Sequence, residues 1–203
     1  MKNQHLKKLI LAAIFAALIC VVTLLLPIPL PGSGYANLGD TLIAVCSVFL
    51  GPVWGFLAAG LGSALADVFL GYTVYAPATF IIKGAMAVVY ILIFRPFINS
   101  KAKLPMSAAA AVCAELLMVG GYFAFEAILY SPAAALPNIW GNLTQGLVAT
   151  VLSTVVISIL SHNANTKKLL AIKKYRKSSC ENATAFLISA INRSLKGYFE
   201  MSS

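Results

Sequence analysis

Six long apolar runs constrain this chain more than any other feature, because together they leave too little polar sequence to clothe a water-soluble fold. They cover roughly residues 9–26, 38–50, 53–70, 76–94, 107–129 and 138–160, each bounded by turn or charge signals. Of the 203 residues 60% are hydrophobic and only 10% charged, with a mean hydropathy of +0.88. A soluble domain of that length needs a largely polar exterior. Lipid removes the need, but then every backbone N–H and C=O must bond within its own segment, which selects helices. The fold expected is an all-α integral membrane protein, a bundle of six transmembrane helices over residues 1–162. The first run follows a short basic start, as a signal peptide would. Pro27-Ile28-Pro29-Leu30-Pro31 follows it in place of a small-residue cleavage site, so it is expected to be a retained span. The second run is short and meets the third at Gly51-Pro52; two tilted spans are favoured over a re-entrant hairpin.

Orientation follows from the basic residues. Lys2, Lys7 and Lys8, then Arg95, Lys101 and Lys103, then the cluster at 167–177 fall in alternate segments, whereas 27–37, 71–75 and 130–137 carry no Lys or Arg. An even number of spans puts every basic segment on one face, so both termini are expected in the cytoplasm of a bacterial plasma membrane. The net charge of +9 is therefore topological, and no nucleic-acid partner is expected. Residues 163–203 form a basic tail set against anionic lipid. Phe186, Leu187, Ala190, Ile191, Leu195 and Tyr198 recur there at helical spacing, either as an interfacial amphipathic helix or as a loosely ordered tail.

The chemistry-bearing motifs are few. Cys20, Cys46, Cys113 and Cys180 stand singly, and His5 and His162 flank the membrane region, so neither a metal nor another cofactor is expected. The chain contains no phosphate loop with which to drive transport by ATP, and no nucleophile elbow or zinc-hydrolase motif, so it is not expected to be an enzyme. The informative residues are the ionisable ones within spans, each costing about 2.5–3.5 kcal/mol at a helix centre on insertion scales. They are Asp40, Asp67, Lys83, Glu115 and Glu126. All but Glu115 fall in the outer leaflet, on four different helices, together with Asn37, Tyr72, Tyr75, Tyr122, Trp140, Asn142 and Gln145. Such a layer supplies flat stacking surfaces and hydrogen bonds for a small heteroaromatic ligand. Plainer roles compete: Lys83 can pair with Asp40 or Asp67, the aromatics can form a lipid-facing belt, and Glu126 can snorkel to water. Glu115 stands apart near mid-membrane, bonding to neighbouring helices.

Small residues make a second pattern. Ala12 and Ala16, and likewise Ala13 and Ala17, give the first helix a smooth face that suits either internal packing or a partner. Gly51, Gly55, Ala59 and Ser63 form a stripe on the third helix that ends at Asp67, with Ala58, Gly62 and Ala66 beside it, expected to pack internally.

The segments Asn37-Leu38-Gly39-Asp40, Leu50-Gly51-Pro52 with Gly55, Gly62 to Asp67 with Gly71-Tyr72, and Tyr75 to Gly84 resemble the substrate-binding (S) components of energy-coupling factor importers. The nearest group is that of hydroxymethylpyrimidine, pyridoxine-type and riboflavin-type substrates, and the resemblance spans residues 6–160. It implies a subunit that captures a vitamin or precursor at the outer face. Such a subunit then docks on a transmembrane coupling protein with two ATPases. Ala12, Ala13, Ala16 and Ala17 match the family's docking motif, and residues 27–35 its lid over the pocket. The substrate-binding set is then Asn37, Asp40, Asp67, Tyr72, Tyr75, Lys83, Tyr122, Glu126, Trp140 and Asn142. Two rivals stay open: a secondary transporter with Asp67, Lys83 and Glu115 as a proton relay, and a membrane scaffold.

Overall fold

The computed structural model describes residues 2–25, 27–29 and 35–162. Among the described residues six α-helices follow one another: α1 (Lys2–Leu25), α2 (Gly39–Leu50), α3 (Pro52–Phe69), α4 (Ala76–Phe94), α5 (Lys103–Leu129) and α6 (Pro132–His162). Five have the length and hydropathy to cross a bilayer. α2 does not match them. Its 12 residues rise about 18 Å, against a hydrocarbon core of about 30 Å. It is nonetheless buried among the others, with ten of its residues covered.

The connection from α1 to α2 holds a minimal antiparallel ladder, β1 (Ile28–Pro29) with β2 (Tyr35–Ala36), while the bundle itself is helical, as expected. The lid assigned to residues 27–35 falls partly outside the described residues, and the tail at 163–203 wholly so.

Glycines decide where helices can meet. Gly51 alone joins α2 to α3; its φ of 80° lies in the left-handed region, and its N–H bonds to the Ser47 carbonyl at 2.8 Å. Pro52 then opens α3, where a missing N–H costs nothing. α3 is central, packing on α1, α2 and α4, while α5 packs on α4. As expected from the small-residue stripes, Gly55, Ala58, Ala59, Gly62, Ser63, Ala66 and Asp67 are all buried.

Cross-contacts fix the helix directions. Thr79 meets Tyr122 and Tyr90 meets Ser107, so α4 and α5 run antiparallel. Gly60 faces Phe80 and Gly84 faces Phe56, so α3 and α4 do too. The Lys- and Arg-free connections therefore share one end of the bundle, here called the uncharged end.

α6 begins earlier than the apolar run at 138 implies. Pro132 occupies its first turn, the Ser131 hydroxyl accepts the Ala134 N–H at 3.2 Å, and Pro137 lies inside the helix. Proline near a helix start forfeits few bonds, so the polar-looking segment 130–137 is mostly helix.

Candidate functional site

The polar residues near the uncharged end converge on Asp40. It lies in the first turn of α2, where the helix dipole favours a carboxylate. Its Oδ1 accepts from Lys83 Nζ at 2.5 Å, and its Oδ2 accepts from the Gln145 side-chain amide of α6. Both members of the pair are only 2% exposed. Gln145 Oε1 in turn accepts the backbone N–H of Asn37 at 2.9 Å. Asn37 Oδ1 accepts the Gly39 N–H at 2.8 Å and the Thr23 hydroxyl at 3.3 Å. One network thus ties α1, α2, α4 and α6 and the segment before α2. Gly39 permits this crossing, since an added Cβ would stand 2.8 Å from Asn37 Oδ1 and closer still to the Thr23 hydroxyl.

Aromatic groups surround the pair. Lys83 Nζ lies 5.5 Å from the Tyr122 ring centroid, within cation–π range, and the Tyr122 hydroxyl is 3.0 Å from Thr79 Oγ1. One turn further toward the uncharged end, Tyr75 donates to Glu126 Oε1 at 3.3 Å, and Asn138 also bonds to Glu126. The Tyr75 ring meets Phe125 at 5.3 Å and Tyr72 at 6.2 Å, both edge-on. Asp67 is buried near the end of α3, close enough to Tyr122 for its charge to act there.

The structure brings together most of the residues picked out by sequence. Asn37, Asp40, Lys83, Tyr122, Glu126 and Tyr75 join hydrogen-bonded or ring contacts; Asp67 and Asn142 are buried in the same region, and Tyr72 touches Tyr75. Trp140 is the exception. It is 75% exposed, on the outward surface of α6, where it suits the lipid-facing belt and not a stack over the pair. Glu126, 2% exposed, does not snorkel outward. Lys83 pairs with Asp40, leaving Asp67 to other contacts. Thr23, Thr79 and Asn138 escaped selection. A helical signal existed for the last two, which stand four residues before Lys83 and Asn142 on the same faces.

The four alanines of α1 divide. Ala12 is buried and Ala16 half-buried, its carbonyl abutting Gly62 of α3, so this pair serves the α1–α3 contact. Ala13 and Ala17 are exposed on the adjacent flank, about 100° round the helix, toward Ile10, Ile14 and Val21. Of the four alanines expected to dock a partner, Ala13 and Ala17 are exposed, Ala16 is half-buried and Ala12 is covered.

Chemically, a buried ammonium clamped by a carboxylate, with hydroxyls, amides and ring faces around it, can bind and orient a planar polar molecule. It has no nucleophile–base pairing. Among the described residues no group of His, Cys, Asp and Glu could hold a metal ion.

Comparison with known proteins extends this picture. The family model described as the ECF-type riboflavin transporter S component matches residues 3–162. An uncharacterized protein from Pyrococcus woesei is 34% identical over 135 residues, 66% of this chain and 88% of its own. A thiamine precursor transporter, HmpT, of Lactococcus lactis is 29% identical over 162 residues, 79% of this chain and 91% of its own. A solved structure of the S component of a bacterial ECF transporter superposes with a TM-score of 0.62 at 18% identity, covering 80% of this chain and 98% of that one.

Proposed function

This chain belongs to the family of S components of ECF-type transporters, and from that premise we propose that it captures a small aromatic vitamin or precursor at the outer face of the membrane for ATP-driven import. The observation that carries the proposal is the Asp40–Lys83–Gln145–Asn37 network lying beside Tyr122 at the uncharged end. Buried charges in lipid-spanning helices are costly and gather where a ligand needs them. A hydroxymethylpyrimidine- or pyridoxine-like ring is the favoured substrate, with Tyr75 and Tyr122 as ring contacts and Asp40, Asp67, Lys83 and Asn142 as polar ones. Glu126 and Asn37 hold the surrounding frame. The positive-inside rule supports placing the uncharged end outside and both termini in the cytoplasm, with α2 counted as a sixth, shorter crossing.

Energy has to come from other chains, a transmembrane coupling protein and two ATPases, because this one carries no phosphate loop. The exposed side of α1 at Ala13 and Ala17 is the proposed seat of the coupling protein. Small residues there let another helix approach closely. Ala17→Leu is expected to spare ligand binding and to lower co-purification of the coupling protein at least tenfold. Normal assembly would move the docking face elsewhere.

The function itself is tested by purifying the protein from a vitamin-replete host and identifying the co-purifying small molecule by mass spectrometry. Uptake is then measured with and without the ATPase module. A bound pyrimidine or pyridine and module-dependent uptake are expected. Uptake that survives loss of the module would instead support a secondary carrier.

A further inference from the structure

On the side of the Asp40–Lys83 pair away from the uncharged end, a small cavity opens between α2, α4, α5 and α6. Asp40, Tyr90, Glu115 and Ser153 supply its polar lining, and aliphatic side chains and Met86 the rest. It has room for about one water molecule, too little for any ring. Glu115 is 8% exposed, and its Oε2 has no hydrogen-bond partner among the described residues. The side chain cannot retreat toward α6, because Gly146 is pressed against it: an added Cβ there would lie 3.0 Å from Glu115 Cβ. Lys83 is near enough to Glu115 for their charges to interact. Its ammonium carries three donors, and among the described residues Asp40 is its hydrogen-bond partner.

A buried acceptor thus lacks a donor, and leaving it unmade costs about 1–3 kcal/mol. A water in the cavity resolves this by donating to it. The Ser153 hydroxyl spends its proton on the Thr150 carbonyl at 3.2 Å, which leaves its oxygen as a further acceptor. The donor set does not suit a metal, which needs more carboxylate or carbonyl oxygens than converge here. We propose that this cavity is a hydration site whose single water joins Glu115 Oε2 to the Asp40 carboxylate, making Glu115 a positioning residue for the Asp40–Lys83 pair. The positioning role rests on the substrate site proposed above; the water does not.

The test is a structure of the ligand-free full chain at about 2 Å or better, for the wild type, Glu115→Gln and Glu115→Leu. A water peak within 3.2 Å of Glu115 Oε2 is expected in the wild type, retained in Glu115→Gln and lost in Glu115→Leu. No wild-type peak, or a peak unmoved in Glu115→Leu, overturns the proposal. So does a peak ringed by five or more oxygens at cation distances. Binding of riboflavin and of hydroxymethylpyrimidine to the same proteins tests the positioning role. Whichever binds the wild type is expected to weaken about tenfold in Glu115→Leu and less than threefold in Glu115→Gln. Equal affinity across all three variants would remove that role. If neither compound binds the wild type, the choice of substrate falls and the water peak alone decides the hydration site.

Discussion

Asp40→Leu is expected to destabilise the protein by about 3–5 kcal/mol, because it strands the Lys83 ammonium in the middle of the bundle. At about 2–4 °C per kcal/mol for a chain of this size, the thermal midpoint in detergent should fall on the order of 10 °C. Lys83→Met should cost a similar amount by stranding the carboxylate. The double variant Asp40→Leu/Lys83→Met is expected to recover most of the loss, since a buried pair is worth little more than well-packed apolar groups of similar volume. A residual deficit of about 1–3 kcal/mol should persist, because Gln145 loses the acceptor for its amide. Ligand binding gives the opposite pattern: absent in both single variants and absent in the double. That separation matters. A pair retained only for stability would let the double variant bind as well as it folds. Additive losses in the double would show that the two groups are not coupled.

Much of this arrangement was legible before any coordinates. Charges in lipid are expensive enough that Asp40, Asp67, Lys83, Glu115 and Glu126 announced themselves, and the alternation of basic segments placed four of them at one level. What spacing could not supply was rotation. Asp40 and Asp67 are equivalent to Lys83 by depth, and only the turn of α2 about its own axis, set by Gly39 and the Asn37 crossing, selects Asp40. The same ambiguity governs α1: Ala12 and Ala13 are neighbours in sequence but about 100° apart on a helix, so one alanine pair meets α3 and the other faces outward. Trp140 and Gln145 share the α6 layer in the same way, one outside and one in. Thr23, polar but uncharged, gave no warning, because a hydroxyl can satisfy itself on its own helix. The early start of α6 was hidden by Pro132 and Pro137, which look like loop and occupy the opening of a helix.

Gly62 carries the second large effect. A Cβ on this residue would stand 2.5 Å from the Ala16 carbonyl oxygen and 3.1 Å from Ala16 Cα. These are backbone atoms, so no rotamer change relieves the clash; α1 must move away from α3 as a unit. Gly62→Ala is expected to cost about 1–3 kcal/mol, and Gly62→Leu more, by overpacking. Gly120→Ala is the control, since nothing lies within 4 Å of a Cβ there. It should be neutral or stabilising by up to about 1 kcal/mol, because alanine is the better helix former. Thermal melts of the three variants distinguish a steric wedge from a generic intolerance of alanine for glycine. Equal stability of Gly62→Ala and Gly120→Ala would mean that α1 and α3 do not meet at this distance. The consequence reaches beyond stability. Ala13 and Ala17 lie on another face of the same helix, about 100° round from the α3 contact, so a wedge at Gly62 displaces the proposed seat of the coupling protein without altering a residue on it. Gly62→Ala should therefore impair assembly while leaving the Asp40–Lys83 region able to bind ligand. Loss of both together would indicate that α1, through Thr23 and its bond to Asn37, transmits the displacement into the site.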